Sequence, residues 1–516
     1  MLPILSPEQS AAWDADAVAH GVALATLMEC AGRAAAVVLA SRYAHRLREG
    51  VLVAAGPGHN GGDGWVLARA LHRLETPVWV TSPPGAVAGL CEEMAARARA
   101  DGVREVASDG PWPGVGLVVD ALLGTGARGA PRAAMAALLD RMLDLDVPII
   151  AIDGPTGVDL HTGIVHGAPR AALSITFGGV RRGHLLARDE VGAVVVVDIG
   201  HPPPDPAWPA LVTDLQAAEW LRRLRSRDHK GARGRVVVVG GDAGMAGAVR
   251  LAGRAAFGAG AGLVHVVAAP ETIAALGQAE PDLQTFAHAL DQPPTAALLE
   301  LVARADALVV GPGLGRAPGR RALVSALVAA AKAAVLDADA LVAFQGAAGE
   351  LRALALGRPL VLTPHPGEFR ALFPELAPLR ELDPWTAATR ACEASGATVL
   401  LKGVPTVIAW PGGGASLTIA AGNPGLATGG SGDVLSGLVG TAVAQRMPPG
   451  TAAALGAHAL GRAADLAARR TAARTLRPMD VVAALPDLWR EWELLRLAPR
   501  LPRPPVLLEL EPPQTV

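Results

Sequence analysis

Short runs of Val, Ile and Leu alternate with Ala-rich helical stretches along most of this chain, and that alternation restricts the fold more than any other feature. In the first half, Gly50-Val-Leu-Val-Ala-Ala-Gly56, Gly116-Leu-Val-Val-Asp120 and Val147-Pro-Ile-Ile-Ala-Ile-Asp153 read as buried strands. Arg235–Gly240, Ala307–Gly311, Ala334–Asp337 and Pro359–Thr363 repeat the theme in the second half. Such strands have no solvent face, and alternating with helices they build parallel sheets covered on both sides. Ligands then collect beyond the carboxyl ends of the strands, which is where the Gly, Asp and Thr residues cluster. The expected fold class is α/β.

At 516 residues the chain exceeds one ordinary domain, and two large α/β domains fit its length. The clearest break is His201-Pro-Pro-Pro-Asp-Pro-Ala-Trp-Pro209, because five prolines in nine residues end both regular structures. This predicts a first domain over 1–212, a second over 213–495 entered through a polar helix near Leu215–Arg227, and a Pro-rich tail over 496–516. Aromatics are 3% of the chain against 51% hydrophobic residues, so the cores must be packed from Ala, Val and Leu. Net charge is −2 with no basic run, which gives nucleic acid no footprint. Cys30, Cys91 and Cys392 are too scattered for a metal pair or a disulfide framework. The N-terminus lacks the pattern of a signal peptide, and apolar runs such as Val194–Val197 are too short to span a bilayer. The expectation is a soluble cytoplasmic protein with no membrane partner.

Chemistry concentrates in Asn423-Pro-Gly-Leu-Ala-Thr-Gly-Gly-Ser-Gly-Asp433. Glycines ahead of an apolar helical run let backbone N–H groups converge on an anion. Asp433 placed there reads as a base for a hydroxyl receiving a phosphoryl group, while the plainer reading is a helix cap. In the first half, Gly56-Pro-Gly-His-Asn-Gly-Gly-Asp-Gly64 joins a strand to a helix as a phosphate cradle without the dinucleotide fingerprint spacing. Asp120-Ala-Leu-Leu-Gly-Thr-Gly-Ala-Arg-Gly129 and Asp153-Gly-Pro-Thr-Gly-Val-Asp159 follow two further strands. Asn60, Asp120 and Thr156 offer oxygen at three strand ends, a set suited to a hard cation.

With Leu27-Met-Glu-Cys-Ala-Gly32, these loops resemble the epimerase domain of the NAD(P)H-hydrate repair proteins over roughly residues 10–200. The resemblance implies a Rossmann-like three-layer domain with a potassium ion held by Asn60, Asp120 and Thr156. It implies that Asn60, Gly61, Gly62, Asp63, Gly64, Gly124, Thr125, Gly126, Ala127 and Arg128 hold the dinucleotide, and that Asp153 contacts the substrate and acts in catalysis. Two departures stand out. Asp153-Gly-Pro-Thr-Gly replaces the usual Asp-(Ile/Val)-Pro-Ser-Gly, and Arg181 stands where the family carries a lysine. Arg does not easily give up a proton, which puts epimerase chemistry in question.

The second half keeps five motifs in order: Lys230-Gly, Gly311-Pro-Gly-Leu-Gly315, Thr363-Pro-His-Pro-Gly-Glu368, Lys402-Gly-Val-Pro-Thr406 and Gly430-Ser-Gly-Asp433. This order resembles the ADP/ATP-dependent NAD(P)H-hydrate dehydratases over about residues 225–490. The resemblance implies a ribokinase-like α/β domain in which Ala248, Gly313, His365 and Asp433 line the hydrate site. Lys402, Gly403, Val404, Pro405, Thr406 and Gly432 would bind the nucleotide, with Mg2+ on its phosphates; family habit favours ADP over ATP. The implied substrates are NADHX and NADPHX, and related proteins tend to form homo-oligomers. Two rivals stay open. One is a ribokinase-like kinase for a vitamin alcohol; the other makes the first domain a non-catalytic ligand-binding or scaffolding module.

Overall fold

The computed structural model describes residues 1–85, 87–497 and 505–512. It divides into two compact units, one formed by residues 2–208 with the segment 505–512, the other by residues 209–497.

In the first unit every side chain of Val51–Ala55, Leu117–Ala121, Ile149–Ile152, Leu173–Phe177 and Ala193–Val197 is buried. These strands pair in parallel, in the spatial order Ala193–Val197, Leu173–Phe177, Ile149–Ile152, Leu117–Ala121, Val51–Ala55, and then Val78–Thr81 and Arg104–Glu105. Val506–Leu510 closes the other edge, antiparallel to Ala193–Val197. The expected tail therefore fails twice: the helix Pro478–Leu497 runs past residue 495, and the segment beyond it carries a strand. The prolines lie outside Val-Leu-Leu-Glu-Leu, an apolar run whose N–H groups are free to pair at a sheet edge. Residues 498–504 and 513–516 of that tail lie outside the described residues.

The helix Leu24–Arg42 has the length and hydropathy of a membrane span, but it packs on the helix His59–Arg73 as a core helix with nine buried residues. His59–Arg73 starts directly after Val51–Ala55, and the connection is tight enough that only glycine fits at position 61. A Cβ there would lie 1.8 Å from the carbonyl oxygen of Gly56.

In the second unit the parallel order is Gln284–Ala287, Leu263–Ala268, Arg235–Val239, Ala307–Val310, Ala334–Leu336, Leu360–Leu362, Thr398–Leu401. Thr406–Ala409 and Leu417–Ile419 continue it antiparallel, and Ala210–Leu211 joins Leu417–Ile419 in parallel. That last pairing draws residues 209–212 into the second unit, so the seam falls at Trp208 rather than at 212. The entry helix is shorter than expected, Asp214–Trp220, because Leu221 turns extended. Behind the sheet, Ser431–Ala444 is apolar on all sides and buried throughout beyond its first turn, packed on Ala246–Gly258.

The C-terminal strand makes four cross-strand pairs with Ala193–Val197, and Glu509 adds an ion pair with Arg42. At about 0.5 kcal/mol per pair, ending the chain at residue 499 should lower the stability of the first unit by about 2 kcal/mol. That corresponds to roughly 4–8 °C in its melting transition. Differential scanning calorimetry checks this, the transition of the second unit serving as internal reference.

Candidate active sites

Beyond the strand ends of the first unit lies a cavity of about 550 Å³, lined among others by Asn60, Asp63, Gly124, Thr125, Gly126, Ala127 and Asp153. Seven sequence-predicted residues thus share one wall. Gly61, Gly62, Gly64 and Arg128 are not on it; Arg128 instead pairs with Asp159 at 3.5 Å and Glu8 at 3.3 Å.

Asp120 and Thr156 are buried and bonded to each other. The Thr156 hydroxyl donates to Asp120 Oδ1 at 2.8 Å, and the Thr156 N–H donates to Oδ2 at 2.7 Å. The same hydroxyl accepts from the Leu123 N–H at 3.1 Å, tying two strand-end loops together. Burial pushes the Asp120 carboxyl up, against the Thr156 hydrogen bonds. Asn60 is buried with neither amide atom partnered, an orphaned polar group aimed at nothing in the protein.

Asp153 sits immediately after the strand Ile149–Ile152 with φ +65°, a left-handed geometry rare for a residue with a side chain. Its Oδ2 accepts from the Thr125 N–H at 2.8 Å, and its Oδ1 accepts from the Thr176 hydroxyl at 3.0 Å, with an Arg181 amino group 3.4 Å away. Arg181 is itself buried and donates to the carbonyls of Gly179 and Phe177. Beneath it, His184 Nδ1 accepts from the Arg181 N–H, so the proton of the neutral ring sits on Nε2 and faces the Asp153 carbonyl. Burial, aided by Arg181 and opposed by Asp153, pushes His184 down to about 4, which keeps it neutral.

Sequence reasoning missed two contributors. Asp14, from the first helix, and His201, from the proline segment, both line the cavity and bond to each other at 2.8 Å. His201 stacks on Trp13 with centroids 4.2 Å apart. The segment read only as a seam is therefore also wall.

In the second unit the site is a cluster around Lys402. The loops after four adjacent strands, Ala307–Val310, Ala334–Leu336, Leu360–Leu362 and Thr398–Leu401, carry Gly313, Asp337, His365 and Lys402 respectively. Lys402 Nζ donates to Asp337 Oδ1 at 2.9 Å and lies 3.7 Å from Glu368. The Ser436 hydroxyl donates to Asp337 Oδ2 at 2.6 Å. Burial alone would push Asp337 up, but the Lys402 charge with the hydrogen bonds from Ser436, Lys402 and Thr363 holds it below the usual carboxylate range. Neither Asp337 nor Ser436 was singled out from the sequence.

Asp433 occupies the first turn of Ser431–Ala444, whose N-terminal Gly430 takes φ +98° as only glycine readily can. Burial first, then the charge of Asp337, pushes Asp433 up to about 7 against the pull of Lys402. Burial likewise pushes Glu368 up to about 7. His365 Nδ1 accepts from the N–H groups of Gly367 and Glu368, so its Nε2 carries the proton and faces Glu368 at 3.2 Å. A Cβ built at Gly432 would lie 3.5 Å from both Lys402 Nζ and Asp337 Oδ2, which puts the glycine loop against the lysine. Gly313 stands against Ala248, and Thr406 closes its own loop by bonding with Gly403. An acid raised to about 7, a glycine-started helix N-terminus and a half-buried cation side by side suit phosphoryl transfer.

Lys402 offsets a charge that cannot reach water. Lys402→Met should cost about 3–5 kcal/mol at neutral pH by leaving Asp337 buried and unpaired. The cost should shrink as pH falls and Asp337 takes a proton; urea unfolding at two pH values measures it.

Residues 236–487 match the NAD(P)H-hydrate dehydratase family, and residues 24–183 match the family described as YjeF-related protein N-terminus. The bifunctional NAD(P)H-hydrate repair enzyme Nnr of Escherichia coli K12 is 36% identical over 485 residues, covering 90% of this chain and 89% of that protein. Its counterpart in Moorella thermoacetica is 35% identical, covering 86% of this chain and 88% of that protein. Among solved structures, a ribokinase-like superfamily protein of Enterococcus faecalis superposes with a TM-score of 0.50 at 24% identity. It covers 57% of this chain and 99% of that chain, and supports the fold of the second unit.

Proposed function

The chain belongs to the bifunctional NAD(P)H-hydrate repair enzymes, and from that premise we infer how its two sites divide the work. It is an epimerase and a dehydratase in one chain: the R and S hydrates of NADH and NADPH interconvert, and the S hydrate is dehydrated. The assignment of individual residues is our reading. The vitamin-alcohol kinase leaves the first unit unexplained, and the observed cavity with its buried acids disfavours a scaffold.

The observation that carries the dehydratase assignment is Asp433 held near neutrality at a glycine-started helix beside Lys402. The hydroxyl on C6 of the hydrated ring is a poor leaving group. Asp433 takes its proton as the oxygen receives a phosphoryl group from the nucleotide, which we take to be ADP. Amides of Gly429–Gly432 and the Lys402 charge stabilise the negative charge that develops. Departure of phosphate from C6 and of a proton from C5 restores the dihydronicotinamide. Lys402, Gly403, Val404, Pro405, Thr406 and Gly432 hold the nucleotide, and Ala248, Gly313 and His365 hold the ring. A magnesium ion on the nucleotide phosphates would neutralise charge there.

In the first unit, Asn60, Asp120 and Thr156 fit a potassium ion. The Asn60 amide is orphaned, and the three donors are oxygens with only one carboxylate among them, a soft demand that suits a large monovalent cation. The ion would draw the substrate phosphate toward the Gly124–Arg128 loop. Asp153, fixed by Thr125 and Thr176, addresses the reacting ring.

Asp433→Asn should lower S-hydrate dehydration by about 100-fold or more while leaving nucleotide affinity within about threefold. In the unsubstituted enzyme kcat/KM should fall as pH drops below about 7, because Asp433 must lose its proton to act as base. Recovery of dihydronicotinamide absorbance from S-hydrate, ADP and magnesium reads both. Near-normal turnover by the Asn variant would sink the role of Asp433, and no recovery with either ADP or ATP would sink the assignment.

A further inference from the structure

The epimerase cavity contains a carboxyl group that substrate contact alone does not explain. Asp63 lies in the second turn of His59–Arg73 and lines the cavity beside Asp14, Asp153 and Arg181. Asp153 is fixed by Thr125, Thr176 and Arg181, yet Asp63 has no hydrogen-bond donor among the described residues. Arg181 cannot supply a proton in its place, since a guanidinium does not deprotonate in proteins.

Resting on the epimerase reading of this cavity, we propose that Asp63 is the acid of the site, the group that gives a proton to the ring nitrogen and takes it back. Several groups face it from the elements around it. They are Asp14 from the first helix, Asp153 from the strand end, Arg181, His201, and His59 on its own helix, with Cys91 on the adjacent helix Gly89–Ala100. Burial, with the charges of Asp153 and Asp14 added, pushes the Asp63 carboxyl well above the usual range, the direction a proton donor needs.

C6 of the hydrate bears a hydroxyl and is bonded to the ring nitrogen, which makes it a hemiaminal. The Asp63 proton passes to the nitrogen as the C6–N bond breaks, the hydroxyl proton passes to the Asp153 carboxylate, and C6 becomes an aldehyde. Rotation about C5–C6 turns the other carbonyl face toward the nitrogen. On closure the nitrogen bonds to C6 and returns its proton to Asp63, and the new hydroxyl takes its proton back from Asp153. Each proton ends where it began, and no water or further reagent enters. Two carboxyl groups in one cavity, one bonded by donors and one without a donor, are what such a cycle needs.

The test uses the full chain with the R hydrate of NADH, ADP and magnesium, and subtracts spontaneous epimer exchange. Asp63→Asn keeps size and hydrogen-bonding ability but cannot cycle a proton. Its kcat for the R hydrate should fall by about 100-fold or more with KM within about threefold, and Asp63→Glu should restore part of the loss. The retained KM also reports that the cavity is folded. In the unsubstituted enzyme kcat for the R hydrate should decline at the alkaline end of the pH range, where Asp63 loses its proton, whereas the residual rate of the Asn variant should not. An Asn variant with the parental kcat and pH profile, or with only KM altered, overturns the proposal. If the unsubstituted enzyme fails to accelerate exchange, the epimerase reading falls and takes this proposal with it. S-hydrate turnover in the same preparation tells that failure from an inactive sample.

Discussion

A parallel sheet covered on both faces leaves polar side chains one place to go, the ends of its strands, and both sites of this protein follow from that constraint. Asp153, Asp337, Thr363 and Lys402 each come directly after a buried strand. Because neighbouring strands end side by side, residues dozens of positions apart become partners. Asp337 and Lys402 lie 65 positions apart and 2.9 Å from each other. The glycine loops act on the same boundary, letting a helix start against the sheet so that its free N–H groups open toward the same space.

Both sites also store backbone strain there. Asp153 has φ +65° and Ala338 has φ +49°, and neither is glycine. Such positions cost about 1–3 kcal/mol each and persist only where surrounding contacts dictate them. Around Asp153 those contacts are the hydrogen bonds from Thr125 and Thr176. Around Ala338 they are the Asp337–Lys402 pair on one side and Asp339 on the other, which accepts from the Gly315 N–H at 3.0 Å and from Arg316 at 2.9 Å. The strained turns aim carboxyl groups that an extended strand end would point elsewhere.

The fold class, both glycine cradles and the place of Asp433 could be read in the sequence because each is a local pattern: a strand, a turn, a helix start. What escaped was non-local. Asp337 closes an ordinary apolar run, and nothing near it announces Lys402 or Ser436. Asp14 and His201 reach the first cavity from a helix and a proline segment 187 positions apart. Prolines there signalled a break correctly but hid the wall that the same residues build. They also disguised the C-terminal strand, whose pairing partner lies some three hundred positions upstream, where no local rule can find it.

That strand makes the first unit discontinuous in sequence: the second unit is threaded between two pieces of it. Synthesis proceeds from the N-terminus, and domains generally fold as they emerge. Here Ala193–Val197 must wait as an open sheet edge while just over three hundred further residues are made, because its neighbour Val506–Leu510 is synthesised only after them. An apolar edge exposed that long is a template for mispairing. The second unit therefore has a task unrelated to chemistry: the speed with which it folds sets how long that edge stays uncovered on the ribosome.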